Sequence, residues 1–279
     1  MKSRTFHLHQ SLQRSLKGRL TKLVLRWLNR SRLGRTLISM TTRFAISQVA
    51  SVVIRGTEVK YSTLEFSWLK SRFEEIENLE PTTLTWIDQA APNAVLWDIG
   101  ANVGSYSIYA ALTKQMSVIA FEPSPFNIEF LSRNIWLNGL ESKITVFPNP
   151  LSDNATQACL SMKSIEWGNS GSTFGELYAE DGKPIEVEFE HRTIGFSMDQ
   201  AMTWFGLAQP DYVKLDVDGI EGLILSGGSE VLKKVESLLV EVPEFDSGRQ
   251  LVETALSRAG LKRERSAQHN EIWSRARVS

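Results

Sequence analysis

The chain has 279 residues, 42% of them hydrophobic and 23% charged, with a net charge of −1. That is enough apolar material for one large domain with an appendage, and the composition excludes a collagen-like, disulfide-stapled or largely disordered chain. A single cysteine, Cys159, rules out an intramolecular disulfide, and no apolar run approaches the length of a membrane span.

Charge is distributed unevenly. No acidic residue precedes Glu58, whereas twelve lysines and arginines do, from Lys2 to Arg55. Among them Leu12, Leu16, Leu20, Leu23, Trp27 and Leu28 recur at helical spacing, which predicts a basic amphipathic helix over 10–30. Such a stripe either packs on the chain's own domain or a second subunit, as a lid or homodimer arm, or lies on an anionic membrane; residues 10–36 carry that peripheral contact. Charges recur through the first 36 residues, which argues against a secretory signal and for a cytoplasmic chain. The Arg- and Ser-rich, acid-free start also has the composition of an organelle transit peptide.

Further along, 46–54 reads as a short buried strand or second hydrophobic element. Residues 68–78 are helical in pattern, and Pro81 opens a helix over 80–88. We therefore expect a basic helical extension over 1–79 and the main domain over 80–279. In the latter, strands alternate with helices: strand 94–99, helix 105–113, strand 117–121, helix 124–137, strand 144–147, strand 211–217, helical 219–232, strand 237–242 and helix 251–259. Two closing strands follow within 262–275. This order predicts an α/β fold with a mostly parallel sheet and helices on both faces. Between Ser152 and Met198 the pattern loosens, apart from an alternating piece at 185–189 that predicts an exposed strand. The length of this stretch marks it as functional or partly flexible.

The most informative segment is Asp98-Ile99-Gly100-Ala101-Asn102-Val103-Gly104, where a buried strand runs into a glycine turn that opens a helix. Gly100 lets a ligand approach the backbone and Gly104 relieves helix–strand packing. A dinucleotide site wants glycine where Asn102 stands, and a carboxylate at Asp98 is awkward beside a pyrophosphate but suits a cationic ligand. The next strand ends in Phe121-Glu122-Pro123, placing an acid where ribose hydroxyls are usually held. Ribose with a cationic amino-acid part and no phosphate describes S-adenosylmethionine.

These motifs resemble the FkbM family of S-adenosylmethionine-dependent methyltransferases. The turn at 98–104 is similar to that family's, as are Phe121-Glu122-Pro123, Arg133-Asn134 with Asn138-Gly139, Leu151-Ser152-Asp153, and Lys214-Leu215-Asp216-Val217-Asp218-Gly219-Ile220-Glu221. The family's usual glutamate is Asp218 here. The resemblance spans 80–276, is poor over 155–190 and leaves out the basic N-terminus. It implies a Rossmann-like class I methyltransferase fold, with Asp98, Gly100, Ala101, Asn102, Gly104, Glu122, Pro123, Ser152 and Asp153 at the cofactor. It also implies Asp216 facing the methyl group, and as acceptor a hydroxyl on a saccharide or related small molecule.

A hydroxyl needs a general base. Asp216, Lys214 and Glu221 are the catalytic candidates, Lys214 sharing a strand face with Asp216; Asp218 is a further acid of the same segment. His191 is a weaker candidate base. Glu241 lines an acceptor pocket if the fifth strand ends there, and Trp167 and Tyr178 either stack on a sugar or simply pack. No metal-ligand spacing stands out, so no metal is expected. Nucleic acid is not an expected partner, since few aromatics interleave the N-terminal basic residues. A nicotinamide-dependent oxidoreductase predicts glycine at Asn102, and a non-catalytic module predicts loss of Asp98, Glu122 or Asp216. Neither loss nor replacement is found.

Overall fold

A computed structural model describes residues 16–63, 68–178, 181–267 and 269–276. The chain divides into two compact units, one ending at Gln48 and one running from Val49 to Ser279. The larger unit thus begins well before residue 80, where the sequence pattern put the boundary.

The first unit contains α1 (Leu16–Asn29) and α2 (Arg32–Ile46). Residues 10–15 of the expected helix lie outside the described residues. The Ser31 hydroxyl caps α2 by accepting from the Gly34 amide at 2.9 Å. A side chain at Gly34 would collide with the Leu28 carbonyl, so the helices meet backbone to backbone there.

The second unit opens with a hairpin, β1 (Val49–Ile54) and β2 (Thr57–Ser62), turned by Arg55 and Gly56 at positive φ. Its boundary is explained by what it buries: Ile54, Val59 and Tyr61 are almost completely inaccessible and join the core of the main sheet. Two asparagines of the family-like motif fasten it. Asn134 accepts from the Ser62 amide at 2.7 Å and donates to the Val103 carbonyl at 2.9 Å. Asn138 accepts from the Lys60 amide and donates to the Lys60 carbonyl, so one side chain satisfies both polar groups of an edge-strand residue. Three helices follow: α3 (Trp68–Glu74), α4 (Ile76–Leu79) and α5 (Pro81–Gln89).

The main sheet then builds in βα units: β3 (Val95–Ile99), α6 (Ser105–Lys114), β4 (Ser117–Phe121), α7 (Pro125–Leu137) and β5 (Ile144–Phe147). The chain next forms a three-stranded antiparallel sheet from β6 (Thr156–Met162), β7 (Ser172–Phe174) and β8 (Phe189–Gly195), in the order β7-β6-β8. This is what the loosely patterned region makes. The strand expected at 185–189 is displaced, since β8 starts only at Phe189. After α8 (Met198–Phe205) come β9 (Tyr212–Leu215), α9 (Glu221–Ser226), α10 (Ser229–Leu232), β10 (Ser237–Glu241), α11 (Asp246–Arg258) and the closing strands β11 (Lys262–Ala267) and β12 (Asn270–Ser274).

The seven strands lie in the order β11-β12-β10-β9-β3-β4-β5; β10, β9, β3, β4 and β5 are parallel and the last pair antiparallel. Alternating residues separate two cores. Leu96, Val118 and Ala120 face α5, α6, α7 and the hairpin, while Trp97, Ile99, Phe121 and Val213 face α8 to α11. This is the Rossmann-like class I methyltransferase arrangement. The order reverses at β3/β9, and the crevice beyond the carboxyl ends of those two strands is where such sheets hold ligands.

Candidate active site

A cleft of about 1080 Å³, counting its open mouth, lies at that switch point. Its floor is the turn after β3. Gly100 has φ +87°, and a side chain there would collide with the Asp216 carbonyl, so the close approach is strand to strand. Asn102 takes φ +51°, a left-handed conformation that asparagine tolerates better than most residues. That accounts for asparagine where a dinucleotide fold carries glycine. Gly104, at φ +87°, leaves room for Leu131 of α7.

Glu122 closes one side. It is 5% exposed, and its two oxygens accept from the Asn102 and Ser124 amides at 2.8 Å each. Burial pushes its carboxyl up to about 7 against the lowering effect of those hydrogen bonds. Asn102 also lines the cleft, and its Oδ1 is buried and without a hydrogen-bond partner among the described residues. Such an acceptor is costly until something donates to it.

A charged cluster occupies the other side. Register pairs Asp98 with Lys214 across β3 and β9, putting both on the α6 face. Lys214, 2% exposed, donates to Asp216 at 2.9 Å, lies 4.0 Å from Asp98, and stands 5.0 Å above the Tyr106 ring. Burial alone would lower this ammonium, but Asp216, Asp98 and Glu80 outweigh it and hold it above the ordinary lysine range. Asp98 accepts from the Ser107 hydroxyl at 2.6 Å, and its burial raises it despite Lys214. Burial would raise Asp216 as well, yet Lys214 and a hydrogen bond shared with Glu241 keep it below the ordinary carboxylate range. Tyr106 is raised well above its usual value by burial and by its bond to Glu80.

The expected site residues are therefore mostly brought together. Gly100, Ala101, Asn102, Glu122, Pro123, Lys214 and Asp216 line the cleft; Asp98 and Gly104 support it from behind. Three more of the expected residues stand outside the lining. Ser152 and Asp153 stand beyond the lining: the Ser152 amide donates to the Phe196 carbonyl, and Asp153 is exposed and accepts from Asn154. Asn149, Pro150 and Leu151 line the cleft instead. Glu221 does not line it either; Oε1 accepts from the Val217 and Gly219 amides at 3.2 and 3.1 Å, tying the turn after β9. Asp218, at φ +62°, is in the lining and accepts from the Gly171 amide at 2.8 Å.

Of the weaker candidates, Glu241 reaches Asp216, whereas His191 stands on β8 outside the lining. Trp167 packs on Phe130 at 5.2 Å, and Tyr178 meets Phe245 at 5.3 Å. Among the described residues no group of three His, Cys, Asp or Glu is clustered as a metal site. Sequence reasoning missed Arg72, Glu80, Tyr106, Asn127 and Asn169. Tyr106 stood in plain view in the first turn of α6; the others come from segments with no motif.

Known proteins similar to this chain include two methyltransferases. The Haloferax volcanii hexuronic acid methyltransferase AglP is 25% identical over 205 residues, 71% of this chain and 73% of AglP. The Sordaria araneosa methyltransferase sdnD is 27% identical over 194 residues, 61% of this chain and 74% of sdnD. Among solved structures, the T. thermophilus 16S rRNA N2 G1207 methyltransferase RsmC, in complex with AdoMet and guanosine, superposes with a TM-score of 0.48 at 13% identity, over 82% of this chain and 50% of RsmC. Residues 98–274 match the methyltransferase FkbM domain. The chain belongs to the FkbM methyltransferase family.

Proposed function

We propose that this methyltransferase uses S-adenosylmethionine to methylate a hydroxyl of a saccharide or related small metabolite. The carrying observation is the make-up of the cleft. Four carboxylates (Glu80, Glu122, Asp216, Asp218) face two cations (Arg72, Lys214), and one of those cations, Lys214, is neutralised. Such a lining repels a polyphosphate and suits a ligand with an ammonium and a sulfonium. The partnerless Asn102 Oδ1 and the spare lone pairs of Glu122 offer acceptors for amine and ribose donors. AglP, named as acting on hexuronic acid, supports an acidic saccharide as acceptor.

S-adenosylmethionine, when bound, supplies a methyl group on a sulfonium. Glu122 and Asn102 would hold its nucleoside end, and Glu80, beside Lys214, its amino-acid end. The chain's own contribution is alignment and deprotonation. Alignment alone supplies several kcal/mol, roughly 7–11 in the best cases. Asp216, at the end of β9, orients the acceptor hydroxyl and takes its proton. Held low by Lys214, it is a weak base but always ionised, and an oxygen gives up its proton easily once it is being alkylated. Among the described residues Arg72 makes no ion pair within 4 Å, and its Nε donates to the Gly168 carbonyl at 3.2 Å. The rest of its guanidinium suits a carboxylate on the acceptor.

The test is isothermal titration with S-adenosylmethionine and with NAD, followed by mass analysis of products from neutral and uronic-acid saccharides. Micromolar S-adenosylmethionine binding that Glu122→Ala weakens, and a 14-Da gain on a hydroxyl, are expected. NAD binding instead would overturn the reading.

A further inference from the structure

The first unit shows what the active site does not use. On α1, Leu20, Leu23 and Trp27 lie on one stripe, and on α2 Leu33, Leu37, Met40 and Phe44 do the same. In an isolated helical hairpin these stripes would normally face each other. Within this unit they do not: contact is made where Leu28 meets Gly34, and neither helix covers the other's stripe. Trp27 is 70% exposed, Leu33 71% and Phe44 69%. The flanks and far sides of the helices carry Lys22 and Arg26 on α1, Arg30 just after it, and Arg32, Arg35 and Arg43 on α2, all exposed. No acidic residue before Glu58 offsets them.

We infer that this hairpin is a docking element for an anionic membrane surface. Charge decides among occupants. A second copy would present the same cations to one another across any symmetric contact, whereas an acidic lipid surface neutralises them while the apolar stripes enter the headgroup boundary. Among the described residues no helix is long and apolar enough to cross a membrane, so the hairpin lies on the surface rather than spanning it. The consequence is that the enzyme works beside its membrane, on acceptors presented there.

The full chain is mixed with sedimentable vesicles of phosphatidylcholine alone and of phosphatidylcholine with phosphatidylglycerol, at low and high salt. Binding to the anionic vesicles is expected, weakened at least ~10-fold by high salt and by Lys22→Glu with Arg26→Glu. Leu23→Glu with Met40→Glu is expected to abolish it while S-adenosylmethionine binding stays unchanged. The inference is overturned by equal binding to both vesicle types, or by no binding from folded protein. A concentration-dependent dimer in lipid-free solution, lost with Leu23→Glu and Met40→Glu, overturns it in favour of a second copy.

Discussion

Lys214 donates to Asp216 at 2.9 Å inside a site where the lysine is 2% exposed, with Asp98 another 4.0 Å away and only 1% exposed. One cation is thus the counter-charge for two acids. Lys214→Met removes it and leaves Asp98 buried without a partner charge, which costs about 3–5 kcal/mol. A thermal melt will show the loss. In whatever fraction stays folded, Asp216 rises toward the ordinary carboxylate range. The acid limb of kcat, measured at saturating cofactor, then moves to higher pH. An unchanged melting temperature would mean the pair is exposed in solution.

Glu122 gives the cofactor a pH dependence. Its carboxyl is raised to about 7 by burial, while a hydroxyl donating to it needs the ionised form. Cofactor affinity therefore rises from pH 6 to pH 8, with proton release on binding below about pH 7. Folding goes the other way: a carboxyl raised above its unfolded value of 4.5 stabilises the fold at low pH, and that contribution is lost as pH climbs through about 7. Titration calorimetry in buffers of different ionisation enthalpy measures the release, and Glu122→Gln should flatten both profiles.

Gly100 tests the floor of the cleft. Gly100→Ala forces a side chain into the Asp216 carbonyl at φ +87°. The combined strain and displacement cost about 3 kcal/mol. Because the obstruction also moves Asp216, kcat should fall more than cofactor affinity does. A variant with wild-type melting temperature and kcat would show that β3 and β9 part easily here.

How much of this was legible in the sequence follows from which forces were local. The βα alternation from Val95 to Phe147 is written in apolar periodicity and glycine placement, so β4 and β5 fall where the pattern puts them. The Asp98–Gly104 turn is legible for the same reason: its backbone angles demand those residues. The β1–β2 hairpin was read as part of an appendage because what fixes it is non-local, namely two asparagines more than 70 residues away in sequence. Ser152 and Asp153 follow β5 closely but turn outward, because the Ser152 amide pairs with Phe196. Arg72 in α3 and Glu80, between α4 and α5, lie ahead of the family match, and nothing local points them at a cleft built by later strands.

Glu221 was expected to act on substrate, and its surroundings assign it a positioning task. Burial raises its carboxyl to about 8, Oε1 holds the Val217 and Gly219 amides, and Oε2 has no hydrogen-bond partner among the described residues. Below about pH 8 the folded protein therefore carries it neutral, and glutamine reproduces that form. Glu221→Gln should match wild type in kcat at pH 6, and in stability at pH 4, below the unfolded carboxyl's value of 4.5. It should be the more stable protein at pH 9, because the wild-type contribution is lost as pH rises through about 8. Glu221→Ala leaves two amides without an acceptor, which costs about 1–3 kcal/mol each at full burial. It frees the turn that carries Asp218, so kcat should drop while cofactor affinity holds. Steady-state kinetics at pH 6 and melts at pH 4 and pH 9 check this. A Glu221→Gln enzyme as inactive as Glu221→Ala would return the residue to the chemistry.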